Sequence, residues 1–174
     1  MNSDMPDTGL GSHKAEPTPD SVLGHEEFTE RLLLMLRSAR QEITIFSHDL
    51  DRRIFGHDQV VRLIREFLLA HRRGRLRAVV RSPRSAVQGS HKLVELSRVL
   101  SSRMEFREAS EDSRYAGEEY VLVDQRQLLI RNAPQDLEAS FYADAAGLGL
   151  TQARQFDNVW NRAQVAREFS DLRL

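Results

Sequence analysis

The chain of 174 residues contains no cysteine, which excludes disulfide bonds and thiolate metal sites. It also lacks a basic-then-apolar signal pattern at its N-terminus, and no apolar run approaches the roughly 20 residues that a membrane span requires. No internal repeat is visible. A length of 174 residues suits one domain of ordinary size with a single hydrophobic core. The absences predict a soluble, cytoplasmic protein.

The formal net charge of −1 conceals a strong segregation of charge along the chain. Residues 52–107 carry fourteen Lys or Arg against four acids, whereas residues 108–174 carry seven Arg against twelve acids. Such segregation favours a basic face that attracts polyanions, unless the acidic final third folds back and neutralises it. The basic segment HRRGRLR (71–77) could contact nucleic-acid phosphates, but it has no interleaved aromatics, and no helix-turn-helix or zinc signature accompanies it.

Residues 1–24 are rich in Pro, Gly, Ser, Thr and Asp and show no apolar period, which predicts a disordered tail before a folded domain over 25–174. The domain alternates helical and strand-like segments, which predicts α/β architecture with a substantially parallel sheet. Apolar spacing predicts helices over 28–39, 60–68 (ended by Gly74), 93–100 and 156–163, the last contributing Trp160 to the core. Strands are predicted over 42–46, 76–80, 104–108, 120–123, 128–130 and 140–143.

The segment EEYVLVDQRQLLIR (118–131) has two short apolar runs around the polar turn 124–127, which predicts a β-hairpin. It resembles the hairpin that carries the active site of the phospholipase D superfamily, where the motif is His-x-Lys, four residues, then Asp. Counting back from Asp124 places Gly117 at the histidine position and Glu119 at the lysine position. The resemblance therefore implies the frame of the motif without its nucleophile or its phosphate-binding cation.

Other segments extend the resemblance over about residues 26–170. The first helix leads into EITIFSHDL, and the closing ARQFDNVWNRA is similar to the last helix of the superfamily. The segment SHKLVELSRVLSSRMEFRE (90–108) resembles a bacterial phospholipase D-like domain of unknown function, found alone or attached to acetyltransferase-like domains. The resemblance implies one half of a phospholipase D-like protein, with a mixed, largely parallel sheet flanked by helices. Such half-domains tend to pair, which implies a homodimer.

Catalysis of the superfamily's kind is not expected, because a phosphodiesterase needs a nucleophile, a general acid and cations for the phosphate oxygens. None of the six histidines has a lysine two positions later. A homodimer would pair two empty motifs, and Glu119 would repel a phosphodiester. The alternative is a divergent phosphoesterase that uses His48 or His91, which requires that histidine to lie in a cleft beside a carboxylate and a cation.

The polar segment after the first predicted strand has the residue types of a metal site, since imidazole and carboxylate suit several divalent ions. Its candidates are His48, Asp49, Asp51 and His57. Their spacing matches no established ligand motif, and a polar loop at the end of a strand explains them as well. The sequence predicts no metal and no cofactor.

The stretch RSPRSAVQGSHK (81–92) is the better candidate for a binding site, because it joins the end of a strand to the start of a helix. Exposed amides there would favour an anion, with charge-assisted contacts from nearby side chains. The predicted anion site consists of Arg84, Ser90, His91, Lys92 and Arg131. The alternative is a Ser90 N-cap with solvated cations. The sequence thus favours a non-catalytic module that binds a protein partner or a phosphate-type ligand, with a divergent phosphoesterase or a nucleic-acid-binding domain as alternatives.

Overall fold

The computed structural model describes residues 17–88, 92–110, 112–113 and 117–170. Within these residues the chain alternates strands with helices, and one sheet runs through the whole domain. None of the described helices has the length and apolar character needed to cross a bilayer. The elements are β1 (Asp20–Leu23), α1 (Gly24–Ser38), β2 (Glu42–Ser47), α2 (Arg52–Phe55), α3 (Asp58–Ala70), β3 (Arg75–Val80), α4 (Pro83–Gln88), α5 (Lys92–Val99), β4 (Met104–Glu108), β5 (Glu119–Val123), β6 (Gln127–Arg131), β7 (Glu138–Tyr142), α6 (Ala146–Arg162), β8 (Gln164–Val165) and α7 (Arg167–Ser170).

The sheet is mixed, and the expectation of a largely parallel sheet is wrong. Its strand order is β1-β7-β6-β5-β2-β3-β4-β8. Only β2 with β3 and β3 with β4 pair in parallel, because only these neighbours are joined by helical crossovers. The other five pairings are antiparallel. Of these, β5–β6 and β6–β7 are made by short returns of the chain, whereas β2 and β5 are distant in sequence. The prediction of an α/β domain with a sheet flanked by helices is confirmed.

The folded domain begins earlier than the sequence predicts. Asp20–Leu23 forms the edge strand β1, antiparallel to β7, so the assignment of these residues to a disordered tail is wrong. The backbone N–H of Gly24 then donates to the Leu137 carbonyl at 2.6 Å, at a φ of +81° that suits glycine. Residues 1–16 of the expected tail lie outside the described residues. The short run Ser-Val-Leu carries too little apolar pattern to be recognised without its partner strand.

Two separate apolar clusters lie on opposite faces of the sheet, because alternate side chains of each strand point to opposite sides. The larger cluster packs residues such as Ile43 and Ile45 against the helices α1, α3, α5 and α7. The smaller cluster packs Phe46 and other strand residues against α6. Phe156 on α6 is fully buried, and Trp160 is 7% exposed, so the core role predicted for the closing helix is confirmed.

Arginine side chains complete the packing of α6 on the sheet. The Arg77 guanidinium lies 5.1 Å from the ring centre of Phe156 and 5.3 Å from that of Trp160. Its Nε donates to Glu42 Oε1 at 2.5 Å, and its Nη1 donates to Asp157 on α6 at 2.8 Å. Arg107 lies 4.2 Å from the Trp160 ring. The helix is therefore fixed to the sheet by aromatic burial and by cation–π contacts.

We expect Phe156→Ala to lower the free energy of unfolding by roughly 3–5 kcal/mol, because it opens a cavity in the smaller apolar cluster. Urea denaturation followed by circular dichroism measures this loss. Gln155→Ala, at the exposed neighbouring position of α6, is the matched control and should change stability little. A Phe156→Ala protein as stable as the control would contradict the assignment of α6 to the core.

Candidate functional site

The strands β2, β5 and β6 bring polar residues into one row where the strands end, at one side of the sheet that we call its carboxyl edge. Ser47 at the end of β2 is in register with Val80 at the end of β3. Because β5 runs antiparallel to β2, the pairing Phe46–Tyr120 places the first residue of β5, Glu119, beside Ser47. Glu119 in turn pairs with Arg131 at the end of β6. This edge contains the carboxyl ends of the parallel strands β2, β3 and β4, where α/β sheets commonly bind ligands.

The centre of this row is a buried ion pair between Glu119 and Arg131. Both side chains are 5% exposed. Glu119 Oε2 accepts hydrogen bonds from Arg131 Nε at 2.8 Å and Nη2 at 2.5 Å. Glu119 Oε1 accepts from Ser47 Oγ at 2.8 Å and from the His48 backbone N–H at 2.5 Å. The carboxylate is therefore fully hydrogen-bonded, which a buried charge requires.

Gly117, at the position of the superfamily's histidine, has no room for a side chain in the present backbone. A Cβ built there would lie 2.9 Å from the Asn132 carbonyl oxygen, closer than real Cβ contacts. A histidine at this position would force the backbone after β6 to move.

Asp124, the matching residue of the motif, has a structural role at the opposite edge of the sheet. Its carboxylate accepts from the backbone N–H groups of Arg40 at 2.8 Å, Gln41 at 2.8 Å and Glu42 at 2.9 Å. Asp124 itself has a φ of +52°, a left-handed conformation that Asp tolerates better than most residues. It fixes the β5–β6 turn against the connection between α1 and β2.

An open pocket of about 840 Å³ lies next to the buried ion pair. It is formed by the segment after β2, by the start of α2, by the residue after β3, and by the segment that follows β6. We call it the Arg81 pocket, and its ionisable lining residues are His48, Asp49, Asp51, Arg52, Arg53, Arg81 and Arg131. Its lining mixes both charges, so the pairing of each cation determines what the pocket can bind.

Two cations of this pocket lack a carboxylate partner among the described residues, the exposed Arg52 and the half-buried Arg81. Arg81 is the more constrained of the two. Its Nη2 donates to the Glu118 carbonyl at 3.2 Å, and its guanidinium lies 4.8 Å from the ring centre of Phe46. Its Nε is buried without a hydrogen-bond partner. Among the described residues no carboxylate lies within ion-pairing distance of it. Burial lowers the pKa of Arg81, since the surrounding carboxylates only partly compensate the loss of solvation.

The two aspartates of the pocket differ in their environments. Burial raises the pKa of Asp49, and the negative charge of Glu119 acts in the same direction, while His48 opposes it. Burial would also raise the pKa of Asp51, but hydrogen bonds and charge from Arg53 outweigh that effect and hold the pKa below its usual range. Asp51 accepts from Arg53 Nη2 at 2.9 Å and lies 3.2 Å from His25 Nε2. Asp51 and Arg53 thus neutralise each other.

The residues considered for a metal site do not form one. His48, Asp49 and Asp51 line the Arg81 pocket, whereas His57 precedes α3 outside it. In the part of the chain that the structure describes, no group of three or more His, Asp or Glu side chains could hold a metal ion. His48 is exposed at the border of the pocket. Its charge opposes the rise in the pKa of the neighbouring Asp49.

The described residues of the predicted anion site, Arg84, Lys92 and Arg131, do not meet in one place. Ser90 and His91 lie outside the described residues. Arg84 is 84% exposed on α4, with its Nε 3.8 Å from Glu168 Oε1. Lys92 forms an ion pair with Asp58. Arg131 alone lines the Arg81 pocket, where it is committed to Glu119.

Sequence reasoning missed Arg81 and Ser47 as members of this site. Both stand at the end of a buried strand, Ser47 as the last residue of β2 and Arg81 directly after β3. A polar residue at the carboxyl end of a parallel strand is a weak but readable signal of a binding edge.

Residues 24–172 match the family model described as Domain of unknown function (DUF7931). A search of curated proteins found no match. The structure is similar to that of TrmBL2, an archaeal chromatin protein, with a TM-score of 0.61 and 11% identity over 90% of this chain. This chain spans 57% of the length of the TrmBL2 chain.

Two further structures resemble the domain over nearly their whole length. Nuc from Salmonella typhimurium, a phospholipase D family member, has a TM-score of 0.58 and 12% identity, over 87% of this chain and 99% of its own. NucT from Helicobacter pylori has a TM-score of 0.59 and 13% identity, over 87% of this chain and 100% of its own. At such identities the likeness shows the fold alone, and that fold is phospholipase D-like.

We expect Arg131→Leu to lower the free energy of unfolding by roughly 3–5 kcal/mol, because it leaves the Glu119 carboxylate buried without its cation. The double variant Glu119→Gln/Arg131→Leu should be more stable than Arg131→Leu, since it removes the stranded charge. Chemical denaturation of the three proteins measures both effects. Arg52→Leu, at an exposed position of the same pocket, is the control. An Arg131→Leu protein within 1 kcal/mol of the wild type would contradict the central role of the ion pair, since that cost is about what an ordinary surface change causes.

Proposed function

This chain belongs to the DUF7931 family, and we propose that it is a non-catalytic phospholipase D-like module that binds an anionic group in the Arg81 pocket. The observation that carries the proposal is the pairing pattern of that pocket. Arg131 is neutralised by Glu119 and Arg53 by Asp51, while Arg81 has a buried Nε without a partner. A phosphate or carboxylate oxygen would supply the missing acceptor.

The absence of the superfamily's catalytic residues supports a binding role. Gly117 and Glu119 stand where a nucleophile and a phosphate-binding lysine would be required. The Glu119 carboxylate is saturated by four hydrogen bonds, so it is also not free to act as a general base. What remains at this edge is a preformed pocket in which Arg81 has a buried donor without an acceptor.

The chemistry of Arg81 favours a planar or tetrahedral oxyanion. A guanidinium presents a rigid fork of N–H donors that matches carboxylate and phosphate oxygens, and stacking on an aromatic ring holds the fork in place. Phe46 provides that ring, and the Glu118 carbonyl occupies one donor. Because the pocket is open, its ligand could be a small molecule or a group carried by a protein, including a second copy of this chain.

The stretch 81–92 is the competing candidate for an anion site, and Arg84 and Lys92 are its described cations. The structure gives Arg84 and Lys92 carboxylate neighbours, Glu168 and Asp58 respectively. Both are surface pairs, which contribute little free energy and which an anion could displace. Variants of these residues therefore serve to locate a bound anion.

We expect inorganic phosphate to raise the melting temperature of the wild type by about 5–10 °C at a hundredfold excess over its Kd. Arg81→Ala should abolish this rise, because it removes the unpaired guanidinium. Arg84→Ala and Lys92→Ala should preserve it, and a thermal-shift titration compares the four proteins. Loss of the rise in these two variants with retention in Arg81→Ala would place the anion on the stretch 81–92 instead.

A divergent phosphoesterase is the second candidate, because His48 meets the requirement for it. The residue is exposed at the edge of the Arg81 pocket, where Asp49 provides a carboxylate and Arg81 a cation. A histidine so placed could act as nucleophile or general base towards a phosphoryl group held by the arginine. The candidate differs from the first in predicting turnover.

We expect no hydrolysis of the phosphodiester bis(p-nitrophenyl) phosphate by the wild type above the uncatalysed rate, because the nucleophile position is Gly117. Release of p-nitrophenolate followed by absorbance measures this. Hydrolysis that disappears in His48→Gln, while phosphate still raises the melting temperature, would establish the second candidate. Hydrolysis that persists in His48→Gln would indicate a contaminating enzyme, which a fresh preparation by an independent purification would confirm.

A further inference from the structure

We propose that the edge of the sheet opposite the Arg81 pocket binds the phosphate backbone of double-stranded nucleic acid, independently of base sequence. This surface consists of Arg37, Arg40, Arg72 and Arg73, which we call the amino-edge arginines. All four are exposed. Arg37 lies in the last turn of α1 and Arg40 follows the helix, while Arg72 and Arg73 lie in the turn between α3 and β3.

The register of the sheet places these connections side by side. The connections before β2, β3 and β4 and the β5–β6 turn all lie at the same edge, on the adjacent strands β5-β2-β3-β4. The Arg75 N–H donates to the Gln41 carbonyl at 3.2 Å, which joins the first two connections. The four arginines stand on the connections before β2 and β3, two strands that are one interstrand spacing of roughly 5 Å apart. A duplex carries one phosphate charge per roughly 1.7 Å of its axis, so several phosphates lie within reach of the side chains on these two connections.

The carboxylates at this edge are already committed to other partners. Asp124 accepts three backbone N–H groups, and Glu42 is paired with Arg75 and Arg77. Glu66 lies 3.8 Å from Arg62. Among the described residues no carboxylate pairs with any of the amino-edge arginines. The edge therefore carries a local positive charge although the whole chain has a net charge of −1.

The arginines are mounted on a fixed backbone. Arg103 donates to the carbonyls of Leu68 and His71, which hydrogen-bonds the carboxyl end of α3 to the connection before β4. The Gly74 N–H donates to the His71 carbonyl at 2.8 Å and closes the turn that carries Arg72 and Arg73. Anchoring of this kind reduces the entropy lost when the surface binds a rigid partner.

The composition of the surface favours a duplex over a single strand. Lys14 and Lys92 are the only lysines of the chain, so its basic surface is made of arginine, which binds phosphate oxygens in a bidentate manner. No aromatic side chain among the described residues is exposed, so none is available there to stack unpaired bases. Contacts to phosphates position a protein on a duplex without reading its sequence.

The test measures binding of two 20-base-pair DNA duplexes of unrelated sequence by fluorescence anisotropy between 50 and 200 mM salt. If four phosphates are neutralised, affinity should fall on the order of a hundredfold over that range, and equally for both duplexes. Arg72→Ala/Arg73→Ala should weaken binding at 50 mM salt by about tenfold or more and should reduce the salt dependence by nearly two phosphate contacts. Its unchanged melting temperature would show that the fold is intact.

The matched control is Arg154→Ala/Arg162→Ala, which removes two exposed arginines from α6. This variant should keep both the affinity and the salt dependence of the wild type. Equal weakening by the two double variants would overturn the proposal in favour of general charge attraction. Failure of the wild type to bind either duplex at 50 mM salt would overturn it directly, as would binding to vesicles of anionic lipid without binding to DNA.

The surface and the Arg81 pocket lie at opposite edges of the sheet, so the two proposals fail separately. Arg81→Ala should leave duplex binding unchanged, and Arg72→Ala/Arg73→Ala should leave the phosphate-induced rise in melting temperature unchanged. Loss of both properties in Arg81→Ala would place the duplex at the pocket and overturn the amino-edge assignment.

Discussion

The Glu119 carboxylate is the group on which this edge of the structure depends. A buried carboxylate is unfavourable unless its oxygens are hydrogen-bonded, and Glu119 meets this requirement with donors from three residues. Arg131 belongs to β6, Ser47 to β2, and the His48 N–H to the segment that leaves β2. The Ser47 hydroxyl also accepts from the Leu50 N–H at 3.1 Å, which extends the network into the wall of the Arg81 pocket. Glu119 thus links β2, β6 and the segment after β2, which lines the pocket.

The three positions aligned with the motif have structural roles in this domain. Asp124 makes three hydrogen bonds to backbone groups that every sequence supplies, so its structural role does not depend on catalysis. Gly117 lies against the Asn132 carbonyl, so the chain after β6 occupies the space that a side chain would need. Asp124 fixes the hairpin turn against the connection between α1 and β2, and Glu119 forms the buried ion pair with Arg131.

The sequence predicts the central elements well, because their apolar periods are strong and local. The strand Met104–Glu108 has the predicted bounds, and the hairpin lies where it was expected. The closing helix contains the predicted Phe156 and Trp160 but begins much earlier, at Ala146. The short elements β1, α2, α4, α7 and β8 were missed, since each depends on tertiary partners. The expected parallel sheet was wrong because alternation along the chain does not reveal that β5 returns antiparallel to β2. The site was only partly predicted, because the availability of Arg81 depends on which carboxylates its neighbours have already paired.

The last strand has a consequence for how this protein behaves at high concentration. β8 is only two residues long and pairs with Arg107 and Glu108, while the Ala166 N–H donates to the Phe106 carbonyl. Only the first two residues of β4 are left unpaired at this margin, and Glu105 there is bridged to Arg107. A strand of only two residues gives an incoming strand almost no backbone to pair with. The open sheet is thereby protected at this margin against edge-to-edge growth into aggregates.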